Sequence, residues 1–509
     1  MNLFQNPVFV TQKRLVHRAG VMVAILFSAL VGLCFLSGLI AYMTGVSDFH
    51  FISNQDAGKV FYGWTLGLEI LLLPIMGMGR ISRVLNDDRK SGIWESNRLT
   101  PLKPSELVTG YWFGSPLREF YMGAVLAIVG LVIVLLAGLP ITLWLGTQVL
   151  VLSTTLLFGL LGVLVGATAQ QQGVGAVMII GLVFAIPFSL SIPRLLINFL
   201  LPVNGLGSLF GFGGEPQSPF AGAPMLYGVA IPPIIFTLTL QFIVAVFLWR
   251  AVKRKVATPF QPPLLRWEAL AFFGVQMIAQ HGLIWDLWRA NFPARAVTGA
   301  GFSGEDQMDI LPMVQIASMV LGIALIAIIS PLPERVRLEA LRTGSGSLRL
   351  AFSRSALTPA LLFAALGGLI LLTQFLHSIT SGSSAKIYLV AFGNLLNFFL
   401  IYALLLECCR LWFRRRAAGF VALGLFILCI LPFILAGVFS NETIGHFSLL
   451  SPGALALSEP NSDDLNYLLF IDFAHLGVVV ALFIGWVLAW KRLLAQATPV
   501  LPPVLTQVA

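Results

Sequence analysis

Titratable side chains occur inside long apolar runs of this 509-residue sequence, where an ionisable group is costly and becomes a candidate for function. Glu69 lies near the middle of one run, and Asp472 and His475 share another. Carboxylate and imidazole groups could transfer protons there, or they could line a path for a polar substrate. Hydrogen bonds between helices would also explain these residues without any reaction. We therefore treat Glu69 as a candidate pathway residue.

Motifs for nucleotide hydrolysis, zinc binding and serine nucleophiles are missing from the sequence. There is no Gly-x-x-x-x-Gly-Lys-Ser/Thr phosphate loop, no His-Glu-x-x-His, no paired cysteine motif and no Gly-x-Ser-x-Gly. The four cysteines have no metal-ligand spacing. The sequence therefore predicts no enzyme, cofactor or metal site in this chain, so that a partner has to supply any energy.

The composition is that of a chain solvated by lipid. Hydrophobic residues make up 58% of it and charged residues 10%, and the mean hydropathy is +0.90. A soluble domain normally has about 25% charged residues, and this chain has too few to cover a surface facing water. The net charge of +9 comes from short basic clusters between apolar runs, which excludes the continuous basic face of a nucleic-acid-binding protein. We expect an all-α bundle of membrane helices.

Twelve apolar runs are long enough to span a bilayer, which needs about 20 residues. In the first half they lie near 20–43, 58–79, 118–137, 141–168, 174–200 and 227–249. In the second half they lie near 269–287, 309–331, 356–376, 387–407, 418–439 and 467–490. The run at 269–287 contains Gln276, Gln280 and His281, so an interfacial or re-entrant helix stays an alternative there.

Basic residues orient this bundle, because cytoplasmic segments are enriched in Lys and Arg. With a cytoplasmic N-terminus and alternating spans, all but five of the 31 Lys and Arg residues fall on the cytoplasmic side. The five exceptions are Lys59, Arg194, Arg289, Arg295 and Lys386. The sequence therefore predicts that both termini are cytoplasmic. Each half also has a basic segment after its second span and a long outer loop before its last span, and this shared layout favours two six-span halves at 1–255 and 256–509.

A charged segment separates the second and third predicted spans, from Asn86 to Gly110. Gly92 predicts a break after the second span, and a short amphipathic helix is expected next. Three residues are expected to form one apolar side of that helix: Ile93, Trp94 and Leu99.

Two prolines predict where this helix ends and the next one begins. Pro101 disfavours helical backbone at Thr100, so the short helix should stop there. A new helix is predicted from Ser105, with Pro104 just before it and Glu106 in its first turn. The result is a compact helical projection between two membrane helices, suited to receive force from a cytoplasmic partner.

This segment closely resembles the signature of ABC type-2 permeases, the membrane subunits of many ABC exporters. The family pattern has an acidic residue, Gly-Thr, a second acidic residue, an apolar run, Thr-Pro with an apolar residue, and a helix with Glu and a late Gly. The matching residues are Asp88, Gly92, Glu95, Leu99, Thr100, Pro101, Leu102, Glu106 and Gly110. Ile93 replaces the usual Thr, and Asn6-Pro7-Val8 resembles the family's N-terminal cytoplasmic helix.

The resemblance implies that these residues, together with Trp94, form an ATPase-coupling loop at 80–117. In the family this loop docks into a groove on a separate cytoplasmic ATPase, expected as a dimer, which binds the ATP and Mg. The resemblance also implies a multi-pass protein of the plasma (inner) membrane and favours export. The spans and outer loops carry no motif that identifies a substrate.

The second half departs from the family pattern. Its corresponding segment, 332–355, is basic but lacks the Gly-Thr and Thr-Pro-Leu elements. Two architectures stay open: a fused pseudo-dimer with one degenerate coupling loop, or a homodimer in which the second half is an accessory bundle. Two other functions are also considered, a membrane-embedded enzyme acting on a lipid-linked substrate through Glu69, Asp472 or His475, and a non-transporting scaffold.

Overall fold

The structure is a computed structural model that describes most of the first half of the chain and parts of the second. The described residues are 5–18, 20–44, 53–168, 206, 209–210, 225–258, 262–298, 322, 325, 355–381, 385–413 and 465–495. The predicted spans at 174–200 and 418–439 lie outside them, as do nearly all of the predicted span 309–331 and of segment 332–355. The chain divides into two compact units, Met1–Pro263 and Leu264–Ala509.

The first unit is a bundle of helices with one small hairpin. Its helices are α1 (Pro7–Arg18), α2 (Val21–Met43), α3 (Asn54–Ile70), α4 (Gly77–Lys90), α5 (Ile93–Leu99), α6 (Pro104–Gly114), α7 (Leu117–Leu136), α8 (Ile141–Thr168) and α9 (Pro233–Ala257). The antiparallel strands β1 (Met225–Leu226) and β2 (Val229–Ala230) precede α9. The predicted start of a span at residue 227 was therefore wrong, because Tyr227 and Gly228 adopt positive φ angles in the hairpin turn. Helix α9 also continues past residue 255, where the first half was expected to end.

The second unit contains four described helices. They are α10 (Arg266–Thr298), α11 (Leu357–Ser381), α12 (Ala385–Phe413) and α13 (Leu465–Ala495). Each helix packs on the next one in this order. Phe273 of α10 stacks on Phe363 of α11 with ring centroids 4.7 Å apart, and Phe399 of α12 meets Phe273 edge-on at 6.0 Å. These aromatic rings form a continuous apolar contact across three helices.

Seven helical segments among the described residues are long and apolar enough to cross a membrane. They are Val21–Met43, Asn54–Lys90, Leu117–Leu136, Ile141–Thr168, Pro233–Ala257, Leu395–Trp412 and Asp472–Ala495. The described part of α10, which the sequence analysis placed as the span 269–287, is not among them. The all-α prediction is confirmed, and the set of apolar helices is typical of a multi-pass membrane protein.

Helix α8 is the central helix of the first unit. It packs against α4 and α9, and small residues let the backbones approach closely. A Cβ added at Gly162 would lie 2.7 Å from the Met78 carbonyl oxygen, and one at Gly166 would lie 3.1 Å from that of Ser82. Helix α2, in contrast to the buried α8, lies at the outside of the unit. Its large side chains such as Met22 and Val23 are about 70% exposed and suited to contact lipid.

Helices α3 and α4 are joined without a break by a π-helical turn, Leu71–Met76, which contains Pro74. Proline lacks an N–H group and clashes with the preceding turn of an α-helix, so a wider turn suits it. Within this long helix, Lys59 and Arg80 lie roughly 31 Å apart, about the thickness of the hydrocarbon core. The part of α4 after Arg80 is about 15 Å long and rich in charged residues.

Candidate functional site: the segment between α4 and α6

The predicted break and the predicted end of the short helix are both confirmed. Gly92 has φ +78°, the left-handed conformation that lets the chain turn from α4 into α5. Helix α5 ends at Leu99, and Thr100 is extended with φ −73° and ψ 159°. Helix α6 begins at Pro104, one residue before the predicted start. The segment is therefore a seven-residue helix held between two sharp turns.

Trp94 fixes α5 to the rest of the unit. It is 3% exposed, and its ring centroid lies 5.5 Å from that of Tyr111 on α6. The two rings belong to an apolar cluster to which α1, α4, α6, α8 and α9 also contribute: Val8, Ile81, Leu85, Leu107, Val108, Leu160, Val163, Ala167, Val252 and Val256. Trp94 thus anchors the short helix in a core to which five other helices contribute.

The prediction that Ile93, Trp94 and Leu99 share one apolar side was wrong. Trp94 is buried, whereas Ile93 is 49% exposed and Leu99 is 89% exposed. With about 100° of rotation per residue, these three positions are spread around the helix instead of lining one side. The helix therefore has a buried side at Trp94 and apolar residues on the side exposed to solvent.

A hydrogen-bond network centred on Asp88 joins four helices. The Tyr111 hydroxyl donates to Oδ2 of Asp88 at 2.6 Å, and Nε2 of Gln12 donates to the same oxygen at 3.4 Å. Nδ2 of Asn97, on α5, donates to the Tyr111 hydroxyl at 3.2 Å. Burial raises the pKa of Tyr111, and the hydrogen bond to Asp88 and its charge raise it further, so the hydroxyl keeps its proton. No sequence pattern indicated the roles of Gln12, Asn97 and Tyr111.

Tyr111→Phe should lower the free energy of unfolding by about 1–3 kcal/mol, because a half-buried carboxylate loses its shortest hydrogen bond. Urea or thermal unfolding in detergent micelles measures the loss. In a protein that already carries Asp88→Asn, Tyr111→Phe should cause a smaller loss of unfolding free energy. In a protein that carries Asp87→Asn it should cause the full loss, since Asp87 is exposed. An equal loss of unfolding free energy in the Asp88→Asn and Asp87→Asn variants would contradict the hydrogen-bond network.

Arg98 ties the end of α5 to the end of α9. Its Nε donates to the Val256 carbonyl at 2.9 Å, and its Nη1 binds the Glu95 carboxylate at 2.7 Å. A guanidinium group at the C-terminus of a helix satisfies carbonyls that have no partner in the helix itself. Glu95 and Arg98 are three residues apart, a spacing that predicts their own pair but not the contact with α9.

Helix α1 docks on α6, next to the segment. Nδ2 of Asn6 donates to the Glu106 carbonyl at 2.6 Å, and Oδ1 of Asn6 accepts from the Val8 N–H at 3.0 Å. A Cβ at Gly110 would lie 2.7 Å from Cβ of Val8, so only glycine allows this approach. The Glu106 carboxylate accepts from the Lys103 N–H at 3.0 Å and satisfies a backbone donor at the start of α6.

The remaining site residues form a surface exposed to solvent, here called the exposed tip. It consists of Ile93, Glu95, Leu99, Thr100 and Pro101. Leu102, which follows it, is partly buried against the apolar cluster. The structure therefore divides the predicted coupling residues into an exposed tip and a buried base.

Glu69 lies inside the bundle, away from this segment. It is 2% exposed, and its Oε2 accepts a hydrogen bond from Nε2 of Gln148 on α8 at 3.0 Å. The Tyr62 hydroxyl hydrogen-bonds that of Thr147 one residue before Gln148. Among the described residues, no ion pair includes Glu69. The π-helical turn begins two residues later, so a buried carboxylate and an irregular helical turn are adjacent.

Asp472 and His475 lie one turn apart on α13, in the second unit, whereas Glu69 belongs to the first. Nδ2 of Asn397 on α12 donates to the Asp472 carbonyl at 3.2 Å. Among the described residues, no group of three or more His, Cys, Asp or Glu side chains is arranged to hold a metal ion. In comparisons with known proteins, no family model, curated protein or solved structure matches the chain.

Proposed function

We propose that this chain is the membrane subunit of an ABC exporter, driven by a separate cytoplasmic ATPase. In this proposal the chain crosses the inner membrane twelve times, with both termini in the cytoplasm. ATP binding and hydrolysis take place on the partner, and movement of α5 transmits the work to the membrane helices.

One observation carries the proposal: the exposed tip stands on a buried base. A leucine that is 89% exposed, beside exposed Pro101 and Ile93, is an unusual arrangement for a helix of seven residues unless a partner covers it. Beneath it, Trp94 lies in the apolar cluster shared with five other helices, and Arg98 binds the end of α9. An apolar contact on a firmly held element is what force transfer between two proteins requires.

The position of the segment supports the same conclusion. Helix α4 extends about 15 Å past the apolar layer and brings α5 to its far end, where a protein in the cytoplasm can reach it. The predicted cytoplasmic side is the basic side of the bundle. Force applied to α5 would pass along α4 and the π-helical turn towards Glu69. It would also reach α8 and α9 through the apolar cluster that contains Trp94.

The experiment is to purify the tagged chain with a candidate ABC ATPase and reconstitute both in lipid nanodiscs. We expect a stable complex whose ATP hydrolysis depends on the chain. Gly92→Pro, Glu95→Ala and Pro101→Ala should each weaken association or the stimulation of hydrolysis, since they change the turn or the surface of the exposed tip. Wild-type association and hydrolysis in all three variants would contradict the proposal.

A further inference from the structure

Two arginines share one buried carboxylate where α4 passes the start of α7. Nη1 of Arg80 lies 3.3 Å from Oε1 of Glu119, and Nη2 of Arg118 lies 3.1 Å from the same oxygen. The Glu119 side chain is 2% exposed, and those of Arg80 and Arg118 are 21% and 32% exposed. The carboxylate is thus enclosed, while both guanidinium groups reach the surface.

The cluster lies at the ends of two apolar helices, where lipid headgroups are expected. Arg80 marks the end of the apolar stretch of the helix that contains Lys59 about 31 Å away. Glu119 lies in the first turn of α7, whose apolar span begins at Leu117. Both helices therefore meet the cluster at the same boundary, on the side of the bundle that carries α5.

The charges and hydrogen bonds of the cluster are incomplete among the described residues. Two guanidinium groups and one carboxylate leave a net charge of about +1. Both guanidinium groups use the same carboxylate oxygen, and several buried atoms have no hydrogen-bond partner in this part of the chain: Nε of Arg80, Nε of Arg118, Oε2 of Glu119 and Oγ of Ser115. Ser115 is 1% exposed and lies at the corner between α6 and α7. Three of these atoms are donors, Nε of Arg80, Nε of Arg118 and the hydroxyl of Ser115, and a group rich in acceptor oxygens that carries one negative charge would pair with them.

We infer that Arg80 and Arg118 bind the phosphate group of an anionic phospholipid. A phosphodiester carries one negative charge and accepts bidentate hydrogen bonds from guanidinium groups. The headgroup layer is the place where such phosphates meet the protein, and cationic side chains at that depth attract anionic lipids. Glu119 holds the two arginines side by side, and its own negative charge keeps the affinity moderate. This site does not depend on the proposed ATPase.

The test measures binding of a fluorescent phosphatidylglycerol to the purified full chain in neutral detergent micelles. Arg118→Gln should weaken binding roughly tenfold, the usual effect of losing a charge-assisted hydrogen bond. Glu119→Gln should instead strengthen it, because the cluster keeps both cations and loses its anion. Arg83→Gln is the matched control: Arg83 is exposed on α4, one turn from Arg80, and the substitution should leave binding unchanged.

The direction in which Glu119→Gln changes lipid binding separates a lipid site from a purely structural ion pair. At a lipid site the substitution strengthens binding, whereas loss of a purely structural ion pair would not. Circular dichroism of each variant shows whether it is folded, and Arg118→Lys keeps the charge if Arg118→Gln does not fold. Equal binding by Arg118→Gln and wild type, or an equal loss in Arg83→Gln, would overturn the inference. If inorganic phosphate displaces the labelled lipid at comparable concentration, the site takes free phosphate and the assignment to lipid is wrong.

Discussion

Trp94→Ala is expected to lower the free energy of unfolding by about 3–5 kcal/mol, because removal of a large aromatic side chain from a packed core leaves a cavity. Trp94 is 3% exposed and packs among side chains of five other helices. Without it, α5 keeps the Arg98 contacts and the Asn97 hydrogen bond but loses its main apolar contact. Chemical unfolding in detergent micelles measures the loss of stability, and binding of the ATPase should fall in the same variant.

Trp64→Ala is the matched control for this prediction. Trp64 is 64% exposed on α3, so the same substitution should change the free energy of unfolding by about 0.5 kcal/mol or less. Trp94→Phe should fall between Trp94→Ala and wild type, since a smaller ring fills part of the cavity. A Trp94→Ala protein as stable as the Trp64→Ala protein would show that Trp94 does not hold α5 in place.

Local backbone preferences made much of this segment predictable. Gly92 favours a left-handed turn that other residues avoid, and Pro101 restricts Thr100 before it, so the two ends of α5 follow from residue types alone. The length of the apolar runs likewise indicated α2, α7 and α8 to within one or two residues. In each case the signal lies within a few neighbouring residues.

Contacts between distant parts of the chain could not be predicted in the same way. The hydrogen bond from Arg98 to the Val256 carbonyl joins residues 158 positions apart, and that from Gln12 to Asp88 joins residues 76 apart. Nothing in the local sequence of Arg98 distinguishes a helix-capping contact from an ordinary surface charge. The burial of Trp94 is a similar case, because rotation around α5 decides it and the neighbouring Ile93 has a comparable apolar character.

These long-range contacts explain why the exposed tip can stay exposed. A seven-residue helix has too few internal hydrogen bonds to be stable alone in water. Trp94, Asn97 and Arg98 supply the missing stability from one side of α5. The opposite side is therefore free to present apolar residues to a partner, and changes there should alter binding without altering the fold.

Leu99→Asp is accordingly expected to abolish ATPase binding while the chain stays as stable as wild type. Leu99 is 89% exposed, so an aspartate there should change the free energy of unfolding by about 0.5 kcal/mol or less. In a complex, the same carboxylate would be buried in an apolar contact without a partner. The affinity should then fall by a factor of about 30 or more, the range found for central interface residues. Equilibrium binding of the purified ATPase to the chain in nanodiscs measures this effect.

Leu15→Asp provides the matched control, because Leu15 is a 53% exposed leucine on α1 and lies outside the exposed tip. Its ATPase affinity should equal that of wild type, and Leu99→Met should also bind normally, since methionine keeps the apolar contact and a similar volume. Equal losses for Leu15→Asp and Leu99→Asp would mean that added negative charge weakens binding wherever it lies. Normal binding by Leu99→Asp would remove the exposed tip from the interface, because a buried carboxylate without a partner cannot be tolerated at its centre.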